Sequence, residues 1–208
     1  MGHRRSSKVP VIGVVGGVGA GKSTAARELA ALGGSLIDAD AIGHELLGEP
    51  DVQAALRARW GDRAILPGGQ VDRGALARIV FADADELAAL NAVMHPRIRR
   101  RIEQAIAAAR RDPAVKAVVV DAAVLFEAGW DDLCTHVVFV AAPAEERRRR
   151  AATARGWDEA AWRRRENSQI SLDTKAARCD YILQNRVNVS SLHEQARRIF
   201  KRIVSGGG

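Results

Sequence analysis

Eight residues near the amino end, Gly16-Gly17-Val18-Gly19-Ala20-Gly21-Lys22-Ser23, fit the pattern G-x-x-x-x-G-K-S/T at every position. The run follows an apolar, β-branched block, Val9 to Val15, which has the length and composition of a buried strand. It precedes a segment with helical character, Ser23 to Leu32, that stops at Gly33 and Gly34. Glycines let successive backbone N–H groups turn inward, and the helix start adds positive potential, so the loop suits phosphate oxygens. Gly17, Gly19, Ala20 and Gly21 would line the loop, and Lys22 would reach the β- and γ-phosphates. The Ser23 hydroxyl could ligate Mg²⁺, and Thr24 with the adjacent amides could hold the α-phosphate. The motif implies binding of a nucleoside triphosphate. It leaves open what becomes of the γ-phosphate.

The rest of the chain supplies the fold. Further strands are expected at Ser35–Ile37, Ala117–Val120, His136–Val140 and Tyr181–Leu183, with helical segments between them. Apolar strands alternating with helices point to a parallel sheet covered on both faces. The stretch between the second and third strands is helical, broken at Pro50, Pro67-Gly68-Gly69 and Pro96, and too long for one crossover. The expected architecture is therefore α/β: a five-stranded parallel sheet with helices on both faces, a helical insertion and a helical lid. We place the core at residues 9–42 and 115–204, with the lid at about 147–178 and the insertion at 43–111. Residues 1–8 and 205–208 are expected as flexible ends. Ser190 or Ser191 can cap a last helix, which carries Leu192, Ala196, Ile199 and Ile203 at helical spacing. With 208 residues, 47% of them hydrophobic, the chain can bury a core without disulfides, and a disordered chain is excluded.

Three sets of side chains could complete a phosphate-transfer site. Asp38 and Asp40 follow the second strand, where open α/β sheets bind ligands. Either can serve as a base toward an alcohol or as a helix cap. Asp121 ends the apolar strand Val118-Val119-Val120, and can hold Mg²⁺ through water or be an ordinary strand-end aspartate. Arg147 to Arg150 and Arg155 lie on a helix after the fourth strand, where guanidiniums can neutralise a transferring phosphoryl group. Four consecutive arginines spread around a helix, so only one or two can face a common point. His95 precedes Pro96 at an expected helix start, where a lone histidine most often packs or caps. Cys134 and Cys179 have no metal-binding spacing and read as packed thiols of a cytoplasmic protein. No apolar run approaches the length of a membrane span.

In combination, several separated segments resemble the dephospho-coenzyme A kinase family. They are the glycine loop through Thr24, Ile37-Asp38-Ala39-Asp40, Met94-His95-Pro96, Leu125-Phe126-Glu127, the lid-side Gln169, Ser171-Leu172 and Lys175, and Asp180-Tyr181-Ile182 with Asn185. Ala123 and Val124 depart from the proline and leucine usual before Leu125. The resemblance implies a P-loop NTPase core that transfers the ATP γ-phosphate to the ribose 3′-hydroxyl of dephospho-coenzyme A, with Mg²⁺. It implies Asp40 as base, and Lys22 with Arg149 or Arg155 stabilising the transferred group. His95, Leu125 and Glu127 would contact the acceptor, and Ser23 and Asp121 the metal.

Two other readings share the glycine loop. One is a different small-metabolite or nucleoside monophosphate kinase. The other is a nucleotide-switched module that binds nucleic acid, which a net charge of +7 invites. Against the latter, basic residues are scattered over several helices, and no aromatic-studded nucleic-acid motif is present. Neither nucleic acid nor membrane is expected as a partner, and the sequence does not fix an oligomeric state.

Overall fold

The computed structural model describes residues 9–186 and 189–206. The basic arm expected at 1–8 and the last two tail residues lie outside them. Five parallel strands form one sheet: β1 (Val11–Gly16), β2 (Gly34–Asp38), β3 (Ala117–Asp121), β4 (His136–Ala141) and β5 (Tyr181–Gln184), in the order β2-β3-β1-β4-β5. The central strand β1 pairs with β3 on one side and β4 on the other. Ladder register sets Asp38 beside Asp121 and Val14 beside Asp121, so strand-end carboxylates converge next to the loop that leaves β1.

Alternation along the strands feeds two cores. Val11, Val15, Val118, Val120, Val137 and Phe139 pack on one face; Ile12, Val14, Ala117, Val119, Val138 and Val140 pack on the other. The second face is covered by α1 (Lys22–Ala31) and α9 (Val189–Val204), through Ala25, Ala26, Leu29, Leu192, Ala196, Phe200 and Ile203. Ser190 and Ser191, read from the sequence as caps, lie inside α9. The first face is covered by the helices between β2 and β3: α2 (Ala39–Leu46), α3 (Pro50–Trp60), α4 (Arg73–Val80) and α5 (Ala84–Ala109). After β4 in the chain come α6 (Ala144–Arg155), α7 (Glu159–Asn167) and α8 (Leu172–Ala177). No helix among the described residues is long and apolar enough to cross a membrane.

The break expected at Pro96 does not occur. Helix α5 runs through it for 26 residues, and His95 lies inside the helix instead of at its start. Met94, Ile98, Ile102 and Ile106 form a stripe of four-residue spacing buried on the sheet side, and this packing outweighs the missing proline N–H. The Arg97 guanidinium donates to the Val93 carbonyl at 2.8 Å, supplying a donor in the turn that the proline disturbs. At the helix start, Asp83 accepts from the amide of Asp85 at 2.8 Å.

Burial pushes the thiols of Cys134 and Cys179 up to about 12. Cys179 also donates to the Lys175 carbonyl at 3.0 Å. At pH 8 both stay protonated, so iodoacetamide should label the native protein on the order of a thousandfold more slowly than the urea-unfolded chain. Equal labelling rates in the two states would refute this picture of the thiols.

Candidate active site

The glycine loop leaves β1 at the centre of the sheet and feeds directly into α1. Its glycines are demanded by space as well as by dihedral angle. Gly19 has φ 79°, and a Cβ there would lie 2.1 Å from the Arg147 carbonyl oxygen. Gly21 has φ 87°, and a Cβ would lie 2.1 Å from Asn185 Nδ2. The loop is therefore seated against α6 on one side and the end of β5 on the other. Gly17, Val18 and Ala20 are buried, whereas Ser23 and Thr24 are exposed at the first turn of α1.

Lys22 donates from Nζ to the Gly17 carbonyl at 3.1 Å. Burial draws its pKa below the usual lysine value, against the pull of the Asp121 and Asp40 carboxylates. Lys175 and Arg155 are close enough to act in the same direction as burial. Asp121 is buried, and desolvation raises its pKa; hydrogen bonding from Ser23 and the charge of Lys22 oppose that rise. Asp40 and Asp38 also act on Asp121, so one cluster holds Lys22, Ser23, Asp38, Asp40 and Asp121. Strand register, the loop and the start of α2 bring these five together from three separate segments.

The two aspartates after β2 divide their duties. Asp38 is the N-cap of α2, accepting from the Ala41 amide at 2.9 Å. Asp40 sits in the first turn of α2, exposed, and makes no side-chain hydrogen bond to another described residue. The carboxylate left available for chemistry is thus that of Asp40.

The arginine run resolves by helical phase. Arg147 is buried, with its side chain against Gly17 and Val18. Arg150 donates to the carbonyls of Ala20 and Asn185, both at 3.4 Å. Arg149 points outward: it is 70% exposed and pairs with Glu146, so the structure does not bring it to the loop. Arg155, exposed at the end of α6, stacks 4.8 Å over the Trp157 ring and acts electrostatically on Lys22. Sequence reading missed Arg150 as a loop contact. The available signal was its position three residues after Arg147 and one before the buried Ala151.

On the other flank, the segment after β3 carries Leu125 and Glu127. Leu125 is fully buried under Gly13, whose added Cβ would lie 2.7 Å from Leu125 Cδ2. It serves the core, not a surface open to a substrate. Glu127 Oε1 pairs with Lys175 at 2.9 Å and accepts from the Ile170 amide at 3.0 Å. Lys175 has no exposed surface and also donates to the Ala123 carbonyl and to Gln169. Glu127 Oε2 is buried without a partner among the described residues. His95 is half-buried, edge-on to Trp130 at 5.3 Å; burial lowers its pKa while Glu127 opposes that shift.

The arrangement has what phosphoryl transfer to an alcohol requires: a phosphate cradle, a cation at its mouth, a carboxylate with open geometry and a second, buried carboxylate beside a hydroxyl. Among the described residues no group of three His, Cys, Asp or Glu side chains could hold a metal alone. The oxygen donors Ser23 and Asp121 do suit Mg²⁺ shared with phosphate oxygens, since that ion is commonly held by one or two protein groups plus substrate.

Comparison with known proteins gives a consistent result. Residues 10–191 match the family model described as dephospho-CoA kinase. A dephospho-CoA kinase of Thermobifida fusca is 36% identical over 92% of this chain and 95% of its own length. One of Corynebacterium jeikeium is 39% identical over 88% of this chain and 94% of its own. A crystal structure from Thermus thermophilus superposes with a TM-score of 0.79 at 31% identity, covering 96% of this chain and 98% of that one.

Proposed function

The chain belongs to the dephospho-CoA kinase family, and from that premise we propose how its residues divide the work of phosphoryl transfer. The protein is an ATP-dependent kinase that phosphorylates dephospho-coenzyme A, the step that yields coenzyme A. The observation that carries the residue assignment is the cluster of Lys22, Ser23, Asp40 and Asp121 at the mouth of the glycine loop.

The loop amides of Gly17 and of Gly19 to Thr24, with the Lys22 ammonium, hold the ATP phosphates. Asp40 accepts the proton of the ribose 3′-hydroxyl as that oxygen bonds to the γ-phosphorus. The bond from the γ-phosphorus to the bridging oxygen breaks, and ADP leaves with the electron pair. Lys22 and Arg155 offset charge on the transferring group; Arg155 is preferred to Arg149 because only Arg155 is electrostatically linked to Lys22. Ser23 and Asp121 would hold Mg²⁺, which when bound neutralises charge on the β- and γ-phosphates. His95, half-buried beside Trp130, and Glu127, paired with Lys175, would contact the acceptor. The helices after β4 would act as a lid that excludes water, which otherwise competes with the 3′-hydroxyl.

A coupled assay of ADP formation tests this reading. Dephospho-coenzyme A should drive turnover with ATP and Mg²⁺, and AMP, CMP and shikimate should not. Absence of turnover with dephospho-coenzyme A under reducing conditions would overturn it.

A further inference from the structure

Val18 is the third residue of the glycine loop, and neither of its backbone polar groups is left to solvent. Its N–H donates to Glu166 Oε2 at 3.0 Å, across 148 residues of sequence. Its carbonyl accepts from Trp162 Nε1 at 3.3 Å and from the Arg147 guanidinium at 3.4 Å. The Val18 side chain packs on Ala151 and Trp162 in a small cluster separate from the main cores. Glu166 Oε1 in turn pairs with Arg147, whose guanidinium lies 5.2 Å from the Trp162 ring centroid. One carboxylate therefore ties α7 to α6 and ties both helices to the loop that receives ATP.

This knot is not what stability alone would select. Arg147 is almost fully buried, and its Nε–H has no acceptor among the described residues. Replacing a buried ion pair by apolar side chains of similar volume is often neutral or stabilising. What apolar residues could not do is accept the Val18 N–H. That hydrogen bond comes from a carboxylate that is not one of the cluster of Lys22, Asp40 and Asp121.

We propose that Glu166 is a positioning residue for ATP: by accepting the Val18 N–H while braced by Arg147, it holds the glycine loop in its phosphate-binding shape and couples that shape to docking of α6 and α7. The inference rests on the reading that ATP sits at this loop.

Three variants separate positioning from folding. Glu166→Gln retains an acceptor for the Val18 amide and should keep the KM for ATP within about threefold of the parent. Glu166→Ala removes the acceptor and should raise the KM for ATP about tenfold or more, with the KM for dephospho-coenzyme A within about twofold. The pair Arg147→Met with Glu166→Leu should melt no lower than the parent, yet show the same rise in KM for ATP. A double variant with parental melting and parental KM for ATP would overturn the proposal. So would a Glu166→Gln protein as impaired toward ATP as Glu166→Ala, since that would assign the effect to the ion pair alone. If Lys22→Ala loses turnover while the Glu166 variants bind ATP normally, the positioning inference falls and the functional reading stands. Undiminished turnover in Lys22→Ala would sink both.

Discussion

Asp40→Asn is expected to lower kcat by about 10² to 10⁴, the range for loss of a positioned general base, while the KM for ATP stays near its starting value. The effect should be confined to the chemical step because Asp40 has no structural bond to lose. It lies exposed in the first turn of α2, and its neighbour Asp38 performs the capping. Asp38→Asn provides the contrast. Asparagine caps a helix as well as aspartate does, so that variant should keep its fold and lose little turnover. Steady-state kinetics with both substrates, read beside a melting curve, decide the matter. An Asp40→Asn enzyme with turnover within a few-fold of the parent would move the base elsewhere.

Lys22→Ala should be damaged in both parameters. The ammonium meets the phosphates in the ground state and faces the charge that spreads over the transferring group, so the KM for ATP rises and kcat falls by about 10² to 10³. Lys22 already sits between a buried carboxylate and an exposed one, Asp121 and Asp40, which oppose the lowering of its pKa by burial. Removing it also takes away a charge that helps keep Asp121 ionised. The Asp121 pKa should therefore climb further, and the acid limb of the rate profile should shift toward higher pH. A rate profile and kcat indistinguishable from the parent would contradict the role given to this lysine.

Much of this site could be read from local sequence because its physics is local. The glycine loop declares itself through dihedral demands and spacing, and the strands through β-branched runs bounded by turn residues. Asp38 and Asp40 could be placed at a strand end, but not told apart. The choice depended on where α2 begins, a boundary of one or two residues that hydrogen bonding decides. Pro96 misled for the opposite reason. The proline rule is local, and the apolar stripe from Met94 to Ile106 overrides it through contacts distant in sequence. The arginines of α6 were the least legible. A 100° turn per residue aims Arg147 inward and Arg149 outward, and only docking against Val18 and Glu166 sets the phase. Glu166 itself carried no signal, since its partner lies at the far end of the chain.

Lys175 is the most deeply buried charge described here, with Glu127, Gln169 and the Ala123 carbonyl around its ammonium. Pulling such a pair apart leaves an uncompensated ion in the interior, at a cost of about 3–5 kcal/mol. Helix α8 and the loop after β3 therefore travel as one body. A lid that leaves this pair intact stops before Gln169, short of the boundary at 178 expected from sequence alone. A clasp that touches none of the transferred atoms thereby fastens one flank of the site.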